Sequence, residues 1–569
     1  MLNYFFSGSN KRNLQTLLWL FLSLNMSLLT AQSNFHCDYE ILPETSSITN
    51  LTFQPGDTLC LMAGARGPLY LKNIIGTETE PIVVINKGGQ SIISSELTYG
   101  LRFAESKYII LSGSGDSNTE YGILIQDVVN GYGLDIGTRS TDFEIEYLEI
   151  KNVKIAGIVA KTDPNCIFPS DRANFTMFNL KIHHNYIHHI GNEGMYIGSS
   201  FFLGQYISAC DATLFPHIID GVEINNNRVE YTGWDGIQVG SALNNCTIHD
   251  NLVFKDSQDE ATYQMSGIII NTGSRCHVFN NQIIDGKGTG ILNQGAGGQK
   301  FFNNLILNAG RDYAFEDQTL KQQFGIFSKY TYIEPPDSTF HFYNNTIVNP
   351  KSDGIRIMNA HGEIHRIVNN LILNPGAYDF YANLGSVNYQ ASDAYVHNYL
   401  DGSAVYLTNN IFDRSSKNQY FADTTAHNYH LTNNSPAVNA GFNLSNYGVY
   451  FDIENYNRPF ETYFDIGAYE YQLITSTHQI ENIPNSSFRL SPNPATNSIL
   501  IRFNLSADQK LSLKLVSIDG KTFDIFQNNF FSKGENSRTI PIEYLPAAEY
   551  IVVLYNDGIL LTQLFLKQE

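Results

Sequence analysis

The middle of the chain alternates short apolar stretches with Asn, Gly and other turn residues. Examples are NNNRVEYTGWDGIQVG (225–240), NNQIIDGKGTGILNQG (280–295) and NNLILNPG (369–376). Within each stretch, apolar and polar side chains alternate with a period of two, which is typical of a β-strand with one buried face. Because turn residues recur so often, the pattern predicts strands of only about four to five residues.

A glycine opens one short strand in each repeat. These glycines are Gly133, Gly157, Gly194, Gly236, Gly267 and Gly290. The intervals are 24, 37, 42, 31 and 23 residues, which we interpret as a coil of 23–24 residues with inserted loops of about 13, 18 and 7 residues. Three short strands fit one coil, so the spacing predicts a parallel β-helix whose coils stack on one another. A leucine-rich repeat would need a Leu spacing that is missing here, and a β-propeller would need blades of ~40–50 residues.

Asn residues mark one corner of each predicted coil. They occur singly or in pairs just before the apolar stretches, as at 226–227, 280–281 and 344–345. Asn tolerates the left-handed backbone conformation, and its side chain can hydrogen-bond the backbone. Stacked coils are therefore predicted to hold an internal Asn ladder.

The segment from about residue 53 to residue 410 resembles the secreted right-handed parallel β-helix proteins of pectate-lyase-like architecture, and residues 55–86 resemble their first coils. The resemblance implies an all-β, right-handed parallel β-helix solenoid, which we place at 33–430 with an N-terminal cap. It also implies work on carbohydrate. The NTD…DD…GHG…RxK pattern of polygalacturonase-type hydrolases is absent, as are the Asp/Arg cluster of pectate lyases and the Lys/Arg pattern of chondroitinase-B-like lyases.

The N-terminus reads as an export signal. Lys11 and Arg12 precede an apolar run at 17–29, and Ala31 offers a small residue for cleavage. This order predicts a secretory signal peptide over residues 1–32. The run is shorter than a membrane-spanning helix, and no later stretch is long enough to span, so we expect no transmembrane segment after signal removal.

The C-terminal part has three predicted segments. Residues 431–471, which contain the motif DIGAYE at 465–470, resemble the segment that caps such β-helices, and the polar residues 472–486 are a predicted linker. Residues 487–569 alternate like a small antiparallel β-sandwich. They resemble the C-terminal sorting domain of type IX secretion cargo, with a carbohydrate-binding or adhesive sandwich as the alternative. The resemblance implies type IX secretion machinery as a partner and a location outside, or on the outer membrane of, a Gram-negative bacterium.

Charge and cysteine content narrow the possibilities further. With 35 Lys+Arg against 55 Asp+Glu, the net charge is −20, which disfavours nucleic-acid binding and docking on anionic membranes. We expect a monomer. Export permits disulfides, and Cys37–Cys60 and Cys166–Cys210 are the candidate pairs. Cys246 and Cys276 are predicted to stack on adjacent coils as a core pair.

The inserted loops indicate where a site lies. Residues 161–174, 199–217 and 255–265 are predicted to wall one groove. Alignment on the glycines places Glu193 and Asp235 on neighbouring coils, beside Tyr196 and Gln238. Two adjacent carboxylates with an aromatic platform suit glycoside hydrolysis, and a separation of ~5 Å would suit a retaining mechanism.

A polysaccharide lyase is the second enzymatic hypothesis. Tyr196 or His189 would act as the base, and Lys161, Arg172 and Lys255 would bind the substrate. Ca²⁺ is a possible cofactor through the oxygen-rich run DSQDE at 256–260, although we assign no metal ligands. The predicted function is therefore a secreted or surface-displayed protein that acts on polysaccharide as a hydrolase or lyase. The alternatives are a non-catalytic glycan-binding or adhesive protein and a purely structural solenoid.

Overall fold

The computed structural model describes residues 35–313, 323–329, 339–359, 364–384, 386, 388–399, 404–414, 419–460, 462–472, 488–505, 508–517, 522–555 and 560–568. The predicted signal peptide lies outside these ranges, and so does the predicted linker apart from Gln472. The chain from Tyr39 to Asp413 winds into parallel strands that stack on three faces.

Two of the faces merge into one continuous parallel sheet because some strands bend from one face to the next. The strands of the first face are Tyr39–Ile41, Thr58–Arg66, Ile82–Ser95, Lys107–Ser112, Thr141–Glu146, Thr176–His183, Ile218–Asn225, Ala242–His249, Cys276–Phe279, Lys300–Phe302, His341–Tyr343, Ile364–Val368 and Ala404–Thr408. The strands of the second face are Ile123–Val128, Leu148–Val153, Tyr186–Ile190, Arg228–Thr232, Leu252–Phe254, Gln282–Ile284, Leu305–Leu307, Thr346–Val348, Leu371–Leu373 and Ile411–Asp413.

The third face is a separate parallel sheet of short strands. Its strands are Ser47–Ile48, Leu69–Lys72, Tyr99–Ala104, Tyr132–Gly137, Ile158–Ala160, Met195–Ile197, Ile237–Val239, Ser266–Ile270, Thr289–Asn293, Ile326–Lys329, Ile355–Met358 and Val396–Asn398. In-register side chains fill the core, as buried Ile158, Met195, Ile237 and Ile268 do on successive coils. The predicted parallel β-helix is confirmed.

The recurring glycine has a steric cause. A Cβ on Gly157 would lie 2.6 Å from the carbonyl oxygen of Gly194 and 2.6 Å from Ile187 Cγ2. A Cβ on Gly194 would likewise lie 2.5 Å from the Gly236 oxygen. Adjacent coils thus approach so closely at this corner that a side chain would push them apart.

The Asn ladder is present at the corner between the first and second faces. Its members are Asn185, Asn227, Asn251, Asn281, Asn304, Asn345, Asn370 and Asn410. Except for Asn410, the last member, each side-chain amide donates to the side-chain oxygen of the Asn on the next coil, at 2.9–3.1 Å. Such a satisfied buried network rigidifies the stack, because losing one member would leave buried partners unpaired.

Disulfides tie three places in the solenoid. Cys37–Cys60 joins the N-terminal strand to the first coil, and Cys166–Cys210 joins two inserted loops, as predicted. Cys246 and Cys276 lie opposite each other on adjacent coils, as predicted, and they are also bonded to each other.

The remaining described elements pack on the outside of the stack, and the segment predicted as a cap, 431–471, contacts the outer corners of several successive coils. They are the α-helix Ala377–Leu384, the hairpins Gln205–Ile207/Ala212–Leu214 and Phe421–Asp423/Asn428–Leu431, and 3₁₀ turns at Ser208–Cys210, Ala391–Ala394, Thr424–Ala426 and Ser445–Tyr447. Within 431–471, buried Arg458 pairs with Glu470 at 2.7 Å, and the side-chain amide of Asn344 in the solenoid donates to the Asp465 carbonyl oxygen. Within the described ranges, no helix combines the length and apolarity needed to cross a bilayer.

The C-terminal part is antiparallel throughout its described strands. One sheet contains Arg489–Ser491, Ser498–Leu505 and Gly534–Pro541, and the other contains Gln509–Ser517, Thr522–Phe531, Ala548–Tyr555 and Leu560–Lys567. Phe503, Leu513, Val552 and Phe565 belong to one buried core, which is separate from that of the solenoid. The predicted antiparallel β-sandwich is confirmed.

Candidate functional site

The third face carries one row of outward side chains along the solenoid axis. From the N-terminal end, the row begins with Tyr70, Arg102, Asp135, Val159, Tyr196 and Gln238, and it continues with Ile269, Leu292, Phe327 and Arg356. Tyr70, Arg102 and Tyr196 are partly exposed, whereas Asp135 and Val159 are buried. Gln238 is only 2% exposed. We call the part from Tyr70 to Tyr196, with the neighbouring Tyr99 and Tyr132, the open half of the third face. The part containing Asp235, Gln238 and Ile269 is the covered half.

Asp135 occupies the centre of the open half. Its carboxylate lies 3.2 Å from the Arg102 Nε atom, and the residue is 9% exposed. Burial raises the pKa of Asp135 to about 6; the nearby Asp163 adds to the rise, while Arg102 and Lys161 oppose it. Asp135 is thus a carboxyl group that can hold a proton close to neutral pH.

Lys161 connects Asp135 to the first inserted loop. Its ammonium lies 2.9 Å from Asp163 Oδ1 and 4.5 Å from the centre of the Tyr196 ring. Burial works to lower the pKa of Lys161, but Tyr196 and Asp163 outweigh it and the pKa is raised, so this side chain stays cationic. The Asp163 side chain is 59% exposed. Lys161 therefore pairs with an exposed carboxylate and lies within electrostatic range of a nearly buried one.

Tyrosines surround this charged centre. Tyr99 and Tyr132 lie side by side on neighbouring strands, and Tyr70 lies 6.3 Å from Tyr99 between ring centres. The Tyr196 hydroxyl is 3.0 Å from Ser200 Oγ. Burial raises the pKa of Tyr132, which lies within electrostatic range of Lys161 and Asp135. Half-buried tyrosines offer flat apolar faces with polar edges, as a sugar-binding surface requires.

The two inserted loops near this surface are fastened to each other. Besides the Cys166–Cys210 bond, the Arg172 guanidinium donates to the carbonyl oxygens of Phe202 and Pro216 and lies 3.8 Å from the Phe202 ring centre. Arg172, predicted to bind substrate, thus makes its contacts within the loops. The second loop also reaches the covered half, where a Cβ on Gly273 would collide with the Phe202 ring.

Glu193 and Asp235 lie on adjacent coils, where the Gly194 amide donates to the Asp235 carbonyl oxygen at 3.0 Å. They are 3% and 0% exposed, respectively. Burial raises the pKa of both groups, and that of Asp235 rises further because Glu193 and Asp256 are near. A polymer in the groove therefore has no access to Asp235, and neither Asp235 nor Gln238 belongs to the open half.

Two other predicted residues lie elsewhere. His189 lies in the second-face strand Tyr186–Ile190 and stacks on Tyr231, with 4.9 Å between the ring centres. The Lys255 ammonium lies 5.9 Å from the centre of the same tyrosine ring. The second face brings these two together, but it does not bring them to Tyr196. One coil of 23–24 residues passes through all three faces. Residues that are close in sequence to the third-face strand can therefore lie on another face.

In the run 256–260, which was considered as a Ca²⁺ site, the carboxylate groups do not converge on one point. Asp256 is buried and accepts a hydrogen bond from the Ser257 hydroxyl at 2.6 Å, Asp259 is exposed, and Glu260 pairs with Lys287 at 2.7 Å. The three side chains thus have separate partners and environments, which is not the converging oxygen set that Ca²⁺ takes.

Sequence alignment on the glycines could have found Asp135. It stands two residues after Gly133, at the position that Tyr196 and Gln238 occupy after their own glycines. Asp163 gave no such signal, because it belongs to an inserted loop outside the repeat.

Comparisons with known proteins agree with the architecture. Residues 217–398 match the family model described as right handed beta helix region, and residues 489–568 match that described as secretion system C-terminal sorting domain. Both modules predicted from the sequence are confirmed. The second match assigns the chain to type IX secretion, which delivers it to the cell surface or the extracellular space.

A solved structure, "The complex structure of XylC with xylose", is also similar. It is 10% identical, the alignment covers 86% of this chain and 95% of that one, and the TM-score is 0.33. The search of curated proteins gave no match.

Proposed function

We propose that the protein is a secreted polysaccharide hydrolase whose active site is the open half of the third face. The observation that carries the proposal is the contrast between Asp135 and Asp163. One carboxyl group is nearly buried with a pKa of about 6, and the other is exposed and paired with Lys161. Glycoside hydrolysis needs two carboxyl groups with such divided roles.

In this proposal Asp135 is the general acid. Protonated up to about pH 6, it would donate its proton to the leaving glycosidic oxygen. Asp163, open to solvent, would activate the attacking water or attack the sugar itself. Lys161 lies within electrostatic range of Asp135 and would hold Asp163 in place through its 2.9 Å contact.

The tyrosines would bind the sugar rings on either side of the cleaved bond. Tyr70 and Tyr99 lie toward the N-terminal end of the solenoid from Asp135, and Tyr196 lies two coils beyond it. Since neighbouring strands are ~4.8 Å apart, this row extends far enough for several sugar units. Arg102, 34% exposed in its side chain, could donate hydrogen bonds to sugar hydroxyl or carboxylate oxygens.

One observation favours elimination as a second candidate function. Lys161 and Arg102 are two cationic groups on the open half of a chain with net charge −20, and Lys161 lies against the Tyr196 ring. Cations there could neutralise the carboxylate of a uronate. The Tyr196 oxygen could then take up the C5 proton as the C4–O bond breaks, while the tyrosine hydroxyl proton passes to the departing sugar oxygen.

A polysaccharide panel tests the proposal on the purified chain, with neutral and uronate polymers in parallel. New reducing ends without ultraviolet absorbance of unsaturated sugar would support hydrolysis. Reducing ends with that absorbance would replace it with the lyase. Binding to a polymer that is never cleaved would contradict both and leave a glycan-binding protein.

A further inference from the structure

A second polar cluster lies at the C-terminal end of the third face, beyond the covered half. Arg356 stands seven strands after Asp135 in the same outward row, and His397 lies opposite it on the next strand. Asp353 lies just before the strand that carries Arg356. Because neighbouring strands are ~4.8 Å apart, Arg356 is about 34 Å from Asp135, and the cluster is separate from the proposed active site.

Buried hydrogen bonds hold the Arg356 guanidinium in one orientation. Its Nε atom donates to Asp353 Oδ2 at 2.7 Å, and its Nη2 atom donates to the Tyr381 hydroxyl at 2.6 Å. Asp353 is fully buried, and Tyr381, in the helix Ala377–Leu384, is 4% exposed. The Phe324 ring centre lies 4.6 Å from the guanidinium carbon. Arg356 is therefore positioned before a ligand arrives, which lowers the entropy cost of binding.

One edge of the guanidinium is left for a ligand. The Nη2 atom lies 3.2 Å from His397 Nδ1, which accepts from it because a guanidinium can only donate. Burial and the nearby Asp353 raise the pKa of Tyr381, so its hydroxyl keeps its proton and adds no negative charge beside Arg356. Within the described ranges, the Nη1 atom has no hydrogen-bond partner. Its two N–H groups can therefore donate to a bound oxyanion.

The accessible charge around Arg356 is positive. Lys329, the exposed end of the neighbouring strand Ile326–Lys329, is a second outward cation, whereas the Asp353 carboxylate is buried. This is a local reversal of sign on a chain with net charge −20. Tyr399 is 46% exposed, and its ring centre lies 5.5 Å from the guanidinium carbon. An aromatic face beside a fixed cation suits a sugar ring that carries an anionic group.

We propose that Arg356 and Tyr399 form a second polysaccharide-binding site, which takes a sugar unit carrying an oxyanion, either a carboxylate or a sulfate ester. Arg356 Nη1 would donate to the oxyanion, and the Tyr399 ring would lie against the sugar. Asp353, Tyr381 and His397 are positioning residues that hold the guanidinium. The site binds and does not cleave, so it goes beyond the proposed hydrolase and stands or falls independently of it.

The first face provides an internal control. The Arg366 guanidinium carbon lies 5.7 Å from the centre of the Tyr406 ring, and Tyr406 is 46% exposed, like Tyr399. Among the residues that the structure describes, however, no carboxylate pairs with Arg366 as Asp353 pairs with Arg356. The first-face pair has the same groups without the fixed orientation, so we expect it not to bind the ligand.

Calorimetric titration of the purified chain tests the proposal with tetragalacturonate, fully sulfated maltotetraose and unmodified maltotetraose. We expect at least one of the two anionic ligands to bind, and the one that binds identifies the oxyanion. The double variant Asp353→Asn/Arg356→Gln removes both charges of the buried pair. It should weaken one equivalent of bound ligand by about tenfold or more, as loss of a charge-assisted hydrogen bond does.

Single variants separate the roles of the two residues from a general effect of charge. Tyr399→Ala lies at the exposed rim, and it should weaken the same binding event about two- to tenfold through loss of the aromatic face. Arg366→Gln and Tyr406→Ala are the matched controls, and both should bind as the wild type does.

Three results would overturn the site. The wild-type chain could bind neither anionic tetrasaccharide, or could bind the neutral one as tightly. The double variant and Tyr399→Ala, both shown to be folded by circular dichroism, could bind as the wild type does. Arg366→Gln could weaken binding as much as the double variant, which would indicate unspecific attraction to surface cations. None of these readouts depends on cleavage, so such a failure differs from a failure of the hydrolase proposal.

Discussion

The two halves of the third face are built on the same repeat and differ in exposure. Asp135 lies in the open half, 9% exposed, and Asp235 lies in the covered half, fully buried. Burial raises the pKa of both carboxyl groups, but only Asp135 has a surface on which a sugar chain could lie. The repeat thus fixes where a side chain stands on the coil, and the inserted loops decide whether a ligand can reach it.

The largest expected effect in the open half comes from Asp163→Asn. Because the amide cannot act as a base or nucleophile, kcat should fall about 100-fold or more. Steady-state kinetics on the polymer identified by the panel measure this. Asp116→Asn, in an exposed turn elsewhere, is the control and should keep full activity. Equal activity of the two variants would remove Asp163 from the mechanism.

The pH profile should follow the protonation of Asp135. The acid is active when protonated, so kcat/KM should fall as pH rises through about 6, by about tenfold per unit above it. Initial rates measured from about pH 4 to about pH 9 test this decrease in kcat/KM. A profile that stays flat from about 5 to 8 would mean that no such acid takes part.

Tyr196→Ala should weaken substrate binding more modestly. Losing one stacking face costs about 0.5–1.5 kcal/mol, which corresponds to a rise in KM of roughly 2- to 13-fold. Tyr206→Ala is the matched control, because Tyr206 is 62% exposed on the hairpin of the second inserted loop. A rise in KM for Tyr206→Ala alone would move the binding surface out onto the loop.

Gln238→Leu should have the smallest effect of the series. Gln238 follows Tyr196 in the same row but is covered, so KM should stay within about twofold of the wild type. KM measured beside that of Tyr196→Ala gives the comparison. A similar rise in both variants would show that the covered half opens to substrate.

Much of the fold follows from the sequence because the constraints repeat. The glycine corner, the Asn ladder and the register of Glu193 with Asp235 are each imposed by coil-on-coil contact, so spacing alone predicts them. The burial of Asp235 and Gln238 is not predictable in this way, since it depends on how the inserted loops fold; Asp256, which lies near Asp235, belongs to the inserted loop 255–265.

The site residues show the same division. Tyr196, predicted from the alignment on the glycines, and Lys161, predicted to bind the substrate, lie together in the open half. Asp135 could have been found by the same alignment. His189 and Lys255 were predicted near the groove because they stand close in sequence to its strands and inserted loops, but the coil carries them to the second face.

The most direct test of the central claim is the kcat of Asp135→Asn on the cleaved polymer, beside Asp127→Asn, an exposed second-face control. If Asp135 is the acid, the kcat of Asp135→Asn should be lower by about 100-fold or more, and the decrease in kcat/KM above about pH 6 should disappear. The kcat of Asp127→Asn should equal that of the wild type. Wild-type kcat in a folded Asp135→Asn variant would contradict the account.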